Sequence, residues 1–358
     1  MNNSKNVLHY MFGKGSIDKL EDILKDKKSE NQYTVYYIDE YFQNNELLNK
    51  LPVKEEDEIF FVQTKDEPKT EFINKFRDIL VEKGKNKPKA IVAIGGGATL
   101  DTGKAVANLL TNPGNAEDYQ GWDLVKNPAI YKIGIPTISG TGAEASRTCV
   151  MTNTKSGLKL GMNSDFTIYD QLILDPNLTK TVPRDQYFYT GMDTYIHSFE
   201  SLNGKYRNAI GDAYAKQAIA LCREVFLSDD MMSDENREKL MIASYFGGCA
   251  IANSFVGVVH PFSAGLSVVF GTHHCIGNCI TMNAMEEFYP KEYEEFFKMA
   301  EKQDVIIPKG IATDLSDETY LALYNSTVIH EKPLSNALGD DFKNKLTLEK
   351  VTEIFKRM

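Results

Sequence analysis

Ala90-Ile-Val-Ala-Ile94 runs directly into Gly95-Gly-Gly97 and then into Ala98-Thr-Leu-Asp101-Thr-Gly-Lys104, and the fold turns on this stretch. Five apolar residues without alternation read as a strand buried on both faces. The glycine turn leads into a helix expected from about residue 99 to 110. Glycines let a backbone approach a pyrophosphate closely, and a helix amino end supplies free N–H groups and the positive end of a dipole. The pattern is not G-x-G-x-x-G, and a glycine triplet serves equally well as a tight structural turn.

Working outward, Val35-Tyr-Tyr-Ile38, Ile59-Phe-Phe-Val62 and Ile133-Gly-Ile135 are further β-type runs. Phe72, Ile73, Phe76, Ile79 and Leu80 recur at helical spacing between them. This alternation predicts an α/β domain on a parallel, doubly wound sheet covered on both faces. Beyond about Pro183 the texture changes, and 187–201, 209–226, 235–253 and 347–358 all read as helices. A chain of 358 residues exceeds what one core usually organises. Two domains are expected: 1–183, dinucleotide-binding, and 184–358, all-helical and catalytic.

Composition is that of an ordinary soluble enzyme, 42% hydrophobic and 25% charged. The net charge of −10 has the wrong sign for a general nucleic-acid binder or for attachment to a polyanionic membrane surface. Neither a secretory signal nor a spanning helix is expected. Cys149, Cys222, Cys249, Cys275 and Cys279 form no disulfide framework and read as reduced thiols in a cytoplasmic protein.

Three features carry chemistry. Asp39, ending an early strand, is placed to accept hydrogen bonds from a ribose and to repel a 2′-phosphate, or is simply a turn residue. The loop Pro136-Thr137-Ile-Ser139-Gly140-Thr141-Gly142-Ala-Glu144 offers N–H and O–H donors, or is a tight turn. Asp193 and His197 stand at i and i+4, on one face of a helix, where a ligand pair and a plain hydrogen bond are both open. Residues 240–285 contain no Asp, Glu, Lys or Arg, yet hold His260, His273 and His274. The plain reading is a buried helical core. A buried imidazole still needs a partner or a metal. One carboxylate with His197, His260 and His274 makes an O/N set suited to a divalent first-row ion.

In this order the segments resemble the iron-containing (group III) alcohol dehydrogenase family. The likeness starts at Phe12-Gly-Lys-Gly15 and continues through Asp39 and Glu67-Pro-Lys-Thr70. It goes on through G-G-G-x-x-x-D-x-x-K (95–104), P-T-x-x-G-T-G-x-E (136–144), Asp193-x-x-x-His197 and the pair His260 and His274. The resemblance implies a cleft between the two domains holding NAD and a metal, Fe²⁺ or else Zn²⁺, Co²⁺ or Mn²⁺. Asp193, His197, His260 and His274 take the ligand positions. Gly96, Gly97, Asp101, Thr137, Thr141 and Lys159 fall at cofactor-contacting positions, with Asp39 favouring NAD. The chain departs from the family at Ala264, where many members carry a histidine beside the nicotinamide; His273 is the candidate to relay protons instead. A homodimer is expected.

His260-Pro-Phe-Ser-Ala-Gly-Leu-Ser267 with Gly271-Thr-His-His-Cys-Ile-Gly-Asn-Cys279 is similar to a small branch of the family. That branch oxidises the C8 hydroxyl of 3-deoxy-D-manno-octulosonate, a step toward an 8-amino sugar of lipopolysaccharide made with a partner aminotransferase. Its final acceptor is NAD or dioxygen. Alternatives are an NAD-dependent dehydrogenase of a small alcohol or diol, a dehydroquinate-synthase-like metal lyase, and a non-catalytic dinucleotide-binding protein. Net −10 opposes an anionic sugar acid at long range, so Arg147, Lys205 or Arg207 is expected to supply a local basic pocket.

Overall fold

The computed structural model describes residues 5–65 and 67–358. It divides into two compact units: one runs to Ile138 and from Ala143 to Thr181, the other comprises Ser139–Gly142 and Val182–Met358.

The first unit carries β1 (His9–Phe12), α1 (Leu20–Asp26), β2 (Thr34–Asp39), β3 (Glu58–Val62), α2 (Thr70–Glu82), β4 (Ala90–Gly95) and α3 (Gly97–Leu109). It continues with β5 (Gly121–Trp122), β6 (Lys132–Pro136), β7 (Thr148–Asn153), β8 (Leu158–Asn163) and β9 (Gln171–Leu174). Six strands form a parallel sheet in the order β1-β9-β6-β4-β2-β3. β4 lies inside it and every one of its residues is buried, which is why it reads as an unbroken apolar run. α3 packs so closely on β4 that a Cβ at Gly103 would lie 2.7 Å from the Ala93 Cβ. The helix begins at Gly97 rather than at about residue 99, with Gly96 in extended conformation as its N-cap.

β7 and β8 form an antiparallel hairpin that joins β5 in a second, three-stranded sheet. Two buried charges tie it to α3. Asp101 Oδ2 accepts from Val150 N at 2.9 Å, and Lys104 Nζ donates to Thr148 O at 2.8 Å.

The second unit is helical: α4 (Arg184–Leu202), α5 (Ala209–Phe226), α6 (Asp234–Ser254), α7 (Val259–Phe270), α8 (His274–Thr281), α9 (Pro290–Lys302), α10 (Asp317–Val328), α11 (Glu331–Leu338), α12 (Phe342–Lys345) and α13 (Leu348–Phe355). α4 is buried almost all round, as a helix at the centre of a bundle must be. The uncharged stretch 240–285 covers most of α6 and all of α7 and α8, and most of it is buried. Among the described residues no single helix is long and apolar enough to cross a membrane.

The loop 136–144 does not stay in one unit, a division that a boundary near 183 does not register. Thr137 belongs to the first unit and Ser139–Gly142 to the second. There, Gly140 N donates to Ser244 Oγ and Gly140 O accepts from Thr194 Oγ1, both at 2.8 Å. Gly140 has φ +150°, and a Cβ on it would fall 1.7 Å from Thr190 O, so only glycine fits.

Candidate metal centre

α4 presents Asp193, His197 and Glu200 at i, i+4 and i+7, a single face of the helix. α7 carries His260 in its first turn, where Pro261 has no helical hydrogen bond to lose. Gly271, left-handed at φ 68°, ends α7, and α8 starts three residues later at His274. This reversal of the chain brings two histidines fourteen positions apart to the same place.

The four candidate ligand atoms lie within 4.8 Å of one another. Asp193 Oδ1 is 3.4 Å from His197 Nε2 and 3.3 Å from His260 Nε2, and Oδ2 is 3.5 Å from His274 Nε2. The His197 and His260 rings stack with centroids 4.5 Å apart. A cation about 2.0–2.2 Å from each N or O ligand in a tetrahedron separates those ligands by about 3.3–3.6 Å, close to the distances between the Asp193 oxygens and the three imidazole nitrogens. Lone pairs converging at this distance repel one another unless something positive lies among them, so the donor set fits a divalent ion.

Burial alone would raise the Asp193 carboxyl, but the imidazoles of His197, His274 and His260 outweigh it and hold the group well below the usual carboxylate range. Burial pushes the His197 imidazole down to about 3. Burial acts downward on His260 as well, yet the carboxylates of Glu200 and Asp193 overcome it and hold that ring at about 9.

Two residues escaped the sequence reading. Glu200 is fully buried, with Oε2 2.5 Å from His260 Nδ1 and Oε1 accepting from Val259 N at 2.6 Å. It holds a proton on Nδ1, so Nε2 is the nitrogen from which a metal would displace a proton and coordinate. Its signal was present in the i+7 spacing from Asp193. Asn278, also buried, donates from Nδ2 to Asp193 Oδ1 at 2.8 Å. His273, by contrast, is exposed at the start of α8 and does not join the cluster.

Among the candidate dinucleotide contacts, Asp39, Gly96, Gly97 and Thr137 come together at the carboxyl ends of β2, β4 and β6. Thr137 N donates to Gly95 O at 3.0 Å, and a Cβ at Gly95 would lie 3.0 Å from the Asp39 Cβ. Asp39 Oδ1 also serves a local turn, accepting from Tyr41 N at 3.0 Å and Thr64 Oγ1 at 3.3 Å. Thr99 Oγ1, in the first turn of α3, is buried without a hydrogen-bond partner, as a hydroxyl kept for an anion would be. Asp101 and Lys159 have structural partners of their own: Asp101 pins the hairpin, and Lys159 Nζ is 3.0 Å from Glu67 Oε1. Thr141 sits half-buried in the second unit.

Residues 8–176 match the family description "Iron-containing alcohol dehydrogenase", and residues 187–320 match "Fe-containing alcohol dehydrogenase family, C-terminal". The chain belongs to the iron-containing alcohol dehydrogenase family. The sulfoacetaldehyde reductase of Bilophila wadsworthia is 36% identical over 182 residues, 50% of this chain and 46% of that protein. The NAD-dependent methanol dehydrogenase of Bacillus methanolicus is 33% identical over 196 residues, 54% of this chain and 51% of that protein. The chain thus spans about half the length of such relatives. In structure, an alcohol dehydrogenase from Oenococcus oeni superposes with a TM-score of 0.85 at 22% identity, covering 99% of each chain. A sulfoacetaldehyde reductase from Bifidobacterium kashiwanohense in complex with NAD⁺ gives 0.82 at 20% identity, covering 99% of this chain and 98% of that one. At such identities the likeness is one of fold, and the fold is that of iron-containing alcohol dehydrogenases.

Arg147, Lys205 and Arg207 do not form the expected basic pocket. Arg147 pairs with Asp123 and Asp165, Lys205 with Asp340, and Arg207 with Asp212. Each charge already has its counter-ion.

Proposed function

We propose that this family member is a metal-dependent, NAD-linked oxidoreductase that interconverts a primary alcohol and its aldehyde. The observation that carries this reading is the buried Asp193–His197–His260–His274 cluster. A divalent ion held by these four residues, Fe²⁺ by family and Zn²⁺, Co²⁺ or Mn²⁺ by the same ligand chemistry, supplies Lewis-acid polarisation of the substrate oxygen. The chain's residues do the rest. Glu200 orients His260, and the uncharged walls of 240–285 keep the surroundings of the cluster poor in competing charge. The Gly95–Gly97 turn and the amino end of α3 bind the pyrophosphate, and the Asp39 carboxylate takes the adenosine ribose and disfavours NADP.

The finer substrate reading is the C8 hydroxyl of 3-deoxy-D-manno-octulosonate, supported by the 260–279 motif, with NAD or dioxygen as acceptor and an aminotransferase next in sequence. The paired state of Arg147, Lys205 and Arg207 favours the second reading, a small uncharged alcohol or diol. A homodimer is supported by β1, an edge strand whose neighbouring Leu8, Tyr10 and Phe12 side chains are exposed.

The test is the metal-reconstituted protein assayed on the sugar acid and on simple alcohols, with NAD and with oxygen alone, beside His260→Ala. The variant is expected to lose turnover and tight metal binding while still binding NAD. Full activity of His260→Ala without bound metal refutes the proposal.

A further inference from the structure

The three residues that α8 places against Asp193, His274, Cys275 and Asn278, are not equivalent. Asn278 stands one helical turn beyond His274 on the same face, and it is fully buried. Its amide nitrogen Nδ2 lies 2.8 Å from Asp193 Oδ1 and 3.4 Å from both His260 Nε2 and His274 Nε2. Three of the four candidate ligand residues therefore place a carboxylate oxygen or a ring nitrogen beside one N–H₂ group. Its carbonyl face, Oδ1, is buried with no hydrogen-bond partner, so this amide's polar interactions are concentrated on the ligand cluster.

An amide nitrogen has two hydrogens and no lone pair to offer. A neighbour of that kind favours imidazoles that turn an unprotonated Nε2 inward, and it opposes tautomers that turn an N–H inward. For His260 the preference agrees with Glu200, which takes the proton on the opposite nitrogen, Nδ1. Asp193 is held in the same way: one carboxylate oxygen accepts from Asn278, and the other has the Cys275 thiol 3.7 Å away. A buried carboxylate with a fixed rotamer loses less freedom when it takes up an ion than one that must first be ordered.

We infer that Asn278 is a positioning residue of the metal centre: its amide N–H₂ holds Asp193, His260 and His274 with their lone pairs turned to one point and so sets the affinity for a divalent ion. The inference rests on the metal-binding reading above. Outer partners of this kind typically change metal affinity by about 10–100-fold when removed.

The test compares wild type, Asn278→Leu and Asn278→Ala. Leucine keeps the branched shape and the number of heavy atoms and removes the N–H₂, while alanine removes both. Dissociation constants for Zn²⁺ and Co²⁺ are measured by chelator competition, together with the visible spectrum of the Co²⁺ form, thermal unfolding and NAD titration. If the donor matters, both variants bind each ion about 10–100-fold more weakly with altered Co²⁺ bands, and alanine, which also leaves a cavity, lowers the unfolding temperature more than leucine. Unchanged affinity and spectrum in Asn278→Leu overturn the inference, as does an affinity loss confined to the less stable Asn278→Ala. A wild-type protein that takes up neither ion overturns the metal reading itself, whatever the variants do.

Discussion

Exchanging Glu200 for glutamine tests the site through an atom that touches no ion. Two donors converge on this carboxylate, Val259 N on Oε1 at 2.6 Å and His260 Nδ1 on Oε2 at 2.5 Å, and its side chain is fully buried. An amide of the same shape keeps only one acceptor. If its oxygen stays on Val259, its N–H₂ faces His260 Nδ1, and that nitrogen must become the acceptor. The proton on Nδ1 is then lost, and the neutral ring carries its one remaining proton on Nε2, the atom 3.3 Å from Asp193 Oδ1, with no lone pair there for an ion. If the oxygen turns to His260 instead, the Val259 N–H is left buried and unpaired at about 1–3 kcal/mol. Either way a charge-assisted bond worth about 1.5–3 kcal/mol is lost. Channelled through the tautomer, that loss corresponds to metal binding weakened by about 10–100-fold. The assay is chelator competition for Zn²⁺ and Co²⁺ on Glu200→Gln, with thermal unfolding to show that the fold survives. Affinity within twofold of wild type in a folded variant refutes the argument that Glu200 governs the tautomer of His260.

Asp39→Gly is expected to relax the preference for NAD over NADP, read as the ratio of the two kcat/KM values; an unchanged ratio removes Asp39 from the account. Gly140→Ala forces a Cβ to within 1.7 Å of Thr190 O, so it should cost more than about 3 kcal/mol in denaturant unfolding, and a near-neutral result would mean the loop is placed differently. Burial pushes the Asp101 carboxyl up to about 6, above its unfolded value near 4. The folded state therefore binds the proton first, and the stability this gives is present below about pH 4 and lost as pH rises through 6, by about 3 kcal/mol. Wild-type stability minus that of Asp101→Asn should fall by that amount across this window, and a flat difference contradicts it.

The interior of the sheet was legible because β4 and its glycine turn leave few alternatives: an unbroken apolar run must be covered on both faces, and a parallel neighbour needs a helical crossover. The β1 end was not. The edge strand β1 and its neighbour β9 are four residues each, and β1 is largely exposed, so neither carries a periodic signal. The β7–β8 hairpin had one that went unread. Cys149 and Met151 are buried alternately along β7, and Asn153-Thr-Lys-Ser-Gly157 is a turn sequence, with Gly157 at φ 71°. Without the hairpin, Asp101 and Lys159 looked like cofactor contacts only. With it, Asp101 has a structural partner in the Val150 amide and Lys159 in Glu67.

The candidate site shows a similar divide, and the reason is chemical scarcity. Six histidines in 358 residues make each one conspicuous, so His197, His260 and His274 could be singled out without coordinates. Glu200 is one of 50 acidic residues, and its significance depends on a partner 60 positions away that only folding brings within 2.5 Å. Abundance works the other way for the basic pocket. Arg147, Lys205 and Arg207 are three of 40 basic residues, and a surplus of ten acidic groups makes a ready-made counter-ion the default for any of them. A net-acidic chain that binds an anion must leave at least one basic group deliberately unpaired. Those three are not such groups, so the case for a carboxylated substrate has to be carried by residues outside them.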